Sequence, residues 1–193
     1  MPYILPQPVR ESAPYVFHKD LFSREECQKI IDLHKSLESH TAMVGGSDGG
    51  IIDHKKRRTE VFWIDWNSER EWIFSRIAEA VSSSNAKFWG YHLSGLNEPL
   101  QLTHYRGDDK GFYDWHEDHG DKGSFQHRKL SAVVVLNEGF SGGNFELNHI
   151  GSPAEMTIGT LIIFPSFKLH RVTPVTEGER WSLVSWVNGP PFV

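Results

Sequence analysis

With 193 residues and 22.1 kDa, the chain is long enough for one compact domain with a substantial core and too short for two comfortable ones. Hydrophobic residues at 38% and charged residues at 23%, together with 7 Trp and 12 Phe, exclude global disorder. A formal charge of -5 leaves no broad basic surface to neutralise phosphates and argues against nucleic acid as the default partner.

The one cysteine, Cys27, allows neither an intramolecular disulfide nor a thiolate zinc cage, which suits a reducing compartment. The start, MPYILPQPVRESAPY, has no cationic stretch leading into an apolar run. No later stretch approaches the roughly 20 apolar residues of a membrane span. The expectation is a cytoplasmic protein with no membrane partner. It is expected to form a single domain over 1–193, helical to about residue 87 and β-rich from about 88 to 193.

In chain order, Ser23-Arg24-Glu25-Glu26 has the spacing of a capping box, and Cys27, Ile30, Ile31, His34 and Leu37 follow at helical spacing as one inward face. Ser68 with Glu71 suggests a second box ahead of Ile73, Ile77, Ala80 and Val81, with Ser82 to Asn85 as the stop. From residue 88 the pattern turns to short β-branched and aromatic runs punctuated by Gly, Asn and Pro. Strands are predicted at 88–91, 100–106, 112–117, 129–137, 144–148, 160–164, 167–173 and 180–187. Eight short strands in one domain suggest a sandwich or jelly roll, with the two N-terminal helices buttressing a sheet. The polar stretches Gly45 to Arg58 and Arg106 to Arg128 read as long functional loops.

Within Tyr113-Asp114-Trp115-His116-Glu117-Asp118 lies an H-x-D motif, and in an extended strand residues i and i+2 project from one face, so His116 and Asp118 can converge. His170, in a later predicted strand, supplies a second imidazole. Two imidazoles and one carboxylate leave three coordination positions open, which suits Fe(II) binding a bidentate keto acid and oxygen. H-x-D alone occurs by chance, and its weight comes from the company it keeps. Arg180 lies ten positions after His170 across the turn-like Thr176-Glu177-Gly178-Glu179, which predicts a hairpin bringing the two together. There a guanidinium could grip a distal carboxylate, although Arg180 taken alone reads more readily as a surface ion pair, because most arginines are exposed. Ser182 and Trp186 share its strand face by period-two alternation.

Three runs carry a family resemblance: YRGDDKGFYDWHED from Tyr105 to Asp118, RKLSAVVVLNEGFSGGNFEL from Arg128 to Leu147, and GTLIIFPSFKLHRVTPVTEGERWSLVSW from Gly159 to Trp186. With them the chain resembles 2-oxoglutarate/Fe(II) oxygenases of the prolyl-4-hydroxylase type, particularly the bacterial and viral PKHD-type hydroxylases. The resemblance covers about Leu100 to Trp186 and extends less distinctively to PYVFHKDLFSREECQKII. It implies a mainly β, double-stranded β-helix (jelly-roll) fold, with His116, Asp118 and His170 as iron ligands. Arg180 would bind the C5 carboxylate of 2-oxoglutarate, with Tyr105 and Ser182 beside it. Trp186, Arg128 and Tyr113 are implied as substrate-facing, with a core aromatic and a solvated charge as the plain alternatives for the first two. Asp108-Asp109-Lys110 departs from the short glycine turn of many relatives and leaves that loop's conformation open.

The implied chemistry uses Fe(II), 2-oxoglutarate and O2, with ascorbate as a candidate accessory reductant, and hydroxylates a substrate C–H bond with release of succinate and CO2. The first expectation for the substrate is a prolyl residue in a peptide or protein. The alternatives are a free amino acid or other small metabolite and, from another class, a non-catalytic β-sandwich binding module, against which the complete triad with Arg180 counts. His54-Lys55-Lys56-Arg57-Arg58 is a short basic run, read as a solvated loop rather than a nucleic-acid site.

Overall fold

The structure, a computed structural model, describes residues 13–42, 52–153 and 156–192. Its first half holds β1 (Val16–His18), α1 (Arg24–Asp32), β2 (His40–Thr41), β3 (Arg57–Arg58), β4 (Glu60–Ile64) and α2 (Glu71–Ser84). The second half holds β5 (Leu100–Arg106), β6 (Phe112–His116), β7 (Arg128–Val135), β8 (Ser141–Gly142) and β9 (Phe145–Leu147). It continues with β10 (Leu161–Pro165), β11 (His170–Val172), β12 (Val175–Glu177) and β13 (Glu179–Asn188). A seven-stranded major sheet runs β1-β10-β7-β13-β5-β4-β2, a four-stranded minor sheet runs β3-β6-β11-β9, and β12 pairs with β8. All the ladders are antiparallel, so the expected mainly β jelly roll with two N-terminal helices holds.

Period-two alternation sorts the major sheet into two faces. Leu100 and Leu102 on β5, Leu130, Ala132 and Val134 on β7, and Trp181, Leu183 and Val187 on β13 pack outward in one cluster with Ile30 of α1 and Ile73, Ile77 and Val81 of α2. Their neighbours Gln101, Thr103 and Tyr105, and Arg180, Ser182, Val184 and Trp186, turn inward to a cavity. The helices seal the greasy side and leave the polar side for chemistry. Val133, Ile162 and Phe164 of the major sheet meet Phe145 and Leu147 of the minor sheet and close the other end of the gap.

α1 begins as its sequence predicts: Ser23 Oγ accepts from the Glu26 amide at 3.2 Å and the Glu26 carboxylate accepts from the Ser23 amide at 2.9 Å. At α2 the expected Ser68 box is absent. Arg70 is the N-cap without a side-chain bond of its own, and Asn67 Oδ1 accepts from the Arg70 amide at 2.9 Å instead. Nor do Ser82 to Asn85 stop this helix, because a π-helical turn, Asn85–Trp89, carries it on to Gly90. The predicted strand at 88–91 is therefore helix and loop. Trp89 and Tyr91 extend the apolar face of α2 onto the core, which their aromatic character alone does not distinguish from a strand. The Asn85 side chain brackets Tyr91, accepting from its amide and donating to its carbonyl at 2.9 Å each.

The predicted strand at 167–173 is shorter, His170–Val172, because Lys168 closes a turn onto the Pro165 carbonyl. Six strands had no predicted counterpart: β1, β2, β3, β4, β8 and β12, of which only β4 exceeds three residues. The polar stretch 106–128 contains β6 and a 3-10 turn, Gly123–His127, as well as loop. Of the stretch Gly45 to Arg58, residues 45–51 lie outside the described residues, and Arg57–Arg58 is a strand rather than loop. No helix among the described residues is long and apolar enough to cross a membrane.

Gly159 stitches the N-terminal segment to the core: its amide donates to Val135 at 2.8 Å and its carbonyl accepts from the Phe22 amide at 3.2 Å. Its φ is +77°, and a Cβ there would stand 2.0 Å from the Phe22 carbonyl oxygen. Gly159→Ala is expected to cost at least about 2 kcal/mol, the left-handed penalty plus the clash, read as a lowered midpoint of urea unfolding.

Candidate active site

β6 and β11 pair with His170 opposite His116, which brings the two imidazoles together at a ring separation of 4.1 Å. Asp118 lies just beyond the end of β6 rather than within it. Its amide donates to the Ser166 carbonyl at 2.9 Å, and this bond after β10 takes over from the strand in aiming the carboxylate at the imidazoles. His116 Nε2 stands 3.8 Å from Asp118 Oδ1, and His170 Nε2 stands 3.5 Å from Asp118 Oδ2. The three candidate donor atoms lie within 4.8 Å of one another.

Both rings are oriented by the same device. His116 Nδ1 donates to the Asp114 carbonyl and His170 Nδ1 to the Lys168 carbonyl, each at 2.8 Å and each two residues back. A carbonyl can only accept, so each Nδ1 carries a proton, which makes Nε2 the lone-pair atom of each ring in its neutral form. Burial, helped by the nearby His170, pushes the His116 pKa down to about 3 and keeps that ring neutral. At Asp118 burial acts upward, but His170, His116, Arg128 and the Ser131 hydrogen bond together hold the carboxyl below its usual value. Ser131 Oγ donates to Asp118 Oδ2 at 2.6 Å and stands 3.0 Å from Ser166 Oγ.

Three electron-rich atoms thus face one point with no proton between them, an unfavourable arrangement that a divalent cation would relieve. Two imidazole nitrogens and one carboxylate oxygen suit Fe(II), with open positions left for exchangeable ligands.

Across the gap, Arg180 on β13 is 2% exposed, and its Nη1 donates to Ser182 Oγ at 2.9 Å. Thr103 donates to the Ser182 carbonyl at 3.0 Å, so the proton in the 2.6 Å Thr103–Ser182 hydroxyl contact belongs to Ser182. Tyr105 lies opposite Arg180 in the β5–β13 ladder, its ring centroid 5.3 Å from the guanidinium carbon. Burial pushes the Arg180 pKa down, and no carboxylate among the described residues pairs with it. The predicted hairpin between His170 and Arg180 is not formed. β11 belongs to the minor sheet and β13 to the major sheet, so the two residues face each other across the cavity instead.

Trp186 continues the inward series Arg180, Ser182, Val184, and its ring lies 3.7 Å from the Arg128 guanidinium and 6.4 Å from the Trp63 ring. Arg128 is buried and held through Nε and Nη2 by both oxygens of Glu98, the first contact at 2.9 Å. It is neither solvated nor free, and its charge is already spent within the protein. Tyr113 stacks on His116 with centroids 3.4 Å apart and planes 14° from parallel, and burial pushes its phenol up to about 12.

All nine residues singled out in the sequence, His116, Asp118, His170, Tyr105, Arg180, Ser182, Trp186, Arg128 and Tyr113, line one cavity of about 960 Å³. Four others escaped notice, Ser131, Thr103, Gln101 and Glu98, and a fifth, Arg57, belongs to the basic run expected to be a solvated loop, whereas it is 7% exposed and lines the cavity. Period-two spacing from Tyr105 points to Thr103 and Gln101. Nothing local marks Ser131, Glu98 or Arg57, whose partners lie 13, 30 and 44 positions away. His104 belongs to the outer face, stacked on Trp181 at 3.9 Å.

The family model of the 2OG-Fe(II) oxygenase superfamily matches residues 100–188, the span that carries the triad and Arg180. A PKHD-type hydroxylase of Shewanella sp. (strain MR-7) is 24% identical over 178 residues, covering 87% of this chain and 75% of that protein. A PKHD-type hydroxylase of Hyphomonas neptunium is 40% identical over 62 residues, covering 30% of this chain and only 28% of that protein. In fold, the chain is similar to a Trichoplax adhaerens prolyl hydroxylase solved with a hypoxia inducible factor peptide fragment. That likeness has a TM-score of 0.74 at 16% identity and covers 91% of this chain and 83% of that one. The match to the 2OG-Fe(II) oxygenase superfamily over residues 100–188 falls on the strands that build the site, and the donor set fits iron: the chain is a 2-oxoglutarate-dependent dioxygenase that uses Fe(II), 2-oxoglutarate and O2.

Proposed function

We propose that this chain hydroxylates a prolyl residue of a peptide or protein, converting 2-oxoglutarate and O2 to succinate and CO2. The observation that carries the reading is the opposition of the His116, Asp118 and His170 donors to the buried, carboxylate-free Arg180 across one cavity. His116, Asp118 and His170 hold the metal through Nε2, a carboxylate oxygen and Nε2. Arg180 receives the distal carboxylate of 2-oxoglutarate, with Tyr105 and the Ser182–Thr103 hydroxyl pair completing the cradle. When bound, the iron supplies the activation of O2 that the side chains cannot perform.

The protein's own part is positioning and exclusion of water. Trp186, locked between Arg128 and Trp63, offers an apolar plane to a pyrrolidine ring without asking it for a hydrogen bond. The bond to Glu98 fixes Arg128 as the support of that plane. A cavity of about 960 Å³ leaves room beside 2-oxoglutarate for a residue of a peptide. The Trichoplax relative, solved with a peptide fragment, supports the peptide over a free metabolite.

Asp118→Ala is expected to abolish both Mn(II) binding, read by electron paramagnetic resonance, and succinate formation. Ser131→Ala, which strips the carboxylate of its buried donor, is expected to weaken metal affinity about 10- to 100-fold, and full affinity in both variants would rule out this ligand set. Arg180→Ala should leave metal binding in place and weaken 2-oxoglutarate use by about 3–5 kcal/mol, because one partner of a buried charge pair is gone. An unchanged KM for 2-oxoglutarate would return Arg180 to a structural role. A proline-containing peptide should raise succinate release above the uncoupled background and gain one oxygen by mass spectrometry, and Trp186→Ala should remove that stimulation. Stimulation by free amino acids alone, with every peptide inert, would replace the peptide by a metabolite.

A further inference from the structure

Three arginines line the cavity, and two of them have their charge accounted for. Arg128 is neutralised by Glu98, and Arg180 awaits 2-oxoglutarate. The third, Arg57 on β3, is 7% exposed. Its Nη2 donates to Gln101 Oε1 at 2.8 Å, its Cζ sits 4.4 Å over the Tyr113 ring, and its Nε has no hydrogen-bond partner. Among the described residues no carboxylate lies within ion-pair distance of it. A guanidinium does not shed its proton, so a buried one surrounded by an amide and a phenol carries an uncompensated desolvation cost. Structures tolerate that cost where a ligand removes it.

The place of Arg57 says which ligand. Arg57 pairs with Tyr113 in the β3–β6 ladder, and Tyr113 stacks on His116, so guanidinium, phenol and metal-facing imidazole form a three-layer pile. Its anchor Gln101 lies opposite Val184 in the β5–β13 ladder, whereas Tyr105 lies opposite Arg180 and Thr103 opposite Ser182. Arg57 is therefore anchored four residues along β5 from the Arg180 cradle, beside Trp63 and towards Trp186. A dicarboxylate seated on Arg180 and the metal occupies the other end.

We propose that Arg57 receives a carboxylate of the primary substrate, so that this enzyme selects substrates bearing an acidic group next to the carbon it hydroxylates. The planar fork of Arg57, held edge-on by Gln101 and face-on by Tyr113, is preorganised for that carboxylate. In a peptide the group is an aspartate or glutamate side chain near the target proline; in a free amino acid it is the α-carboxylate. The assignment rests on the oxygenase reading of the cavity and not on the peptide reading.

The test uses the full chain loaded with Mn(II) and 2-oxoglutarate for binding by calorimetry, and with Fe(II) for product mass spectrometry. One arm compares peptides identical except for Glu, Gln or Lys beside a single proline; the other compares free proline with prolinamide. The carboxylate member of at least one arm is expected to bind roughly 10- to 100-fold more tightly than its amide, the range of a buried charge-assisted hydrogen bond. In Arg57→Gln that ratio should fall towards one, and in Arg57→Glu the Lys peptide should overtake the Glu peptide if the peptide arm carries the preference. The KM for 2-oxoglutarate in Arg57→Gln should stay near that of the unmodified chain. Equal affinity for acid and amide in both arms, or no binding by any carboxylate member, overturns the proposal, and so does a KM for 2-oxoglutarate that rises with the loss of Arg57. Preference for free proline with peptides inert upholds Arg57 and defeats the peptide reading. Hydroxylation of the Gln and Glu peptides with equal efficiency, with free proline bound no better than prolinamide, does the reverse.

Discussion

The site depends on a single register: His170 opposite His116 in the ladder between β6 and β11. Side chains in a strand alternate between faces, so a slip of one residue would send one imidazole to the opposite side of the minor sheet and leave two donors where three are needed. The register is held from both flanks. β9 pairs with β11 through Leu147, Glu146 and Phe145, and β3 pairs with β6 through Arg57 and Arg58. Because β11 is only three residues long, the apolar contacts of Val172, Phe145 and Leu147 with the major-sheet side secure what its few hydrogen bonds cannot.

The major sheet resolves a conflict that any buried polar site creates. Polar groups withdrawn from water cost free energy unless each finds a partner, whereas the sheet needs an apolar face to fold against. Alternation along β5, β7 and β13, broken only by the register shift at Arg128, assigns these demands to opposite faces. Leucines, valines and Trp181 meet the two helices, while Gln101, Thr103, Arg180 and Ser182 face the cavity and Ser131 lies behind Asp118. Most of the inward polar groups are satisfied locally: Ser131 by Asp118, Ser182 by Thr103, Arg128 by Glu98. The remainder, the metal-facing donors, the guanidinia of Arg180 and Arg57 and the indole Nε1 of Trp186, are groups left without a full set of partners among the described residues. Unmet electrostatic demand, more than cavity shape, marks where ligands belong.

Position on the two sheets also divides labour among similar residues. Arg57, Arg128 and Arg180 all reach the same space, yet Glu98 makes Arg128 a brace for Trp186, and the hydroxyl pair behind Arg180 keeps its fork open. Likewise the carbonyls of Asp114 and Lys168 choose the tautomer of each imidazole, so that metal affinity is prepared by backbone geometry before any ion is present.

By itself the sequence determined the periodic and the local: the capping box at Ser23, the inward faces of both helices, the long strands β5, β7 and β13, and the H-x-D pair of His116 and Asp118, with His170 and Arg180 singled out through the family resemblance. These are legible because a period of two or 3.6 residues and a short motif are written in consecutive residues. Tertiary structure alone decided what depends on residues far apart. The two- and three-residue strands carry too few side chains to show a period, and β3 becomes a strand only because β6 lies beside it. Phe88 to Tyr91 could be read as strand or helix until the core on which α2 packs made the choice. The hairpin expected between His170 and Arg180 gave way to two separate sheets, since turn composition cannot say which strands a turn joins. Whether a given arginine is paired or waiting is a property of its neighbours in space, and Arg57 differs from Arg128 only through a glutamate thirty residues away from the latter.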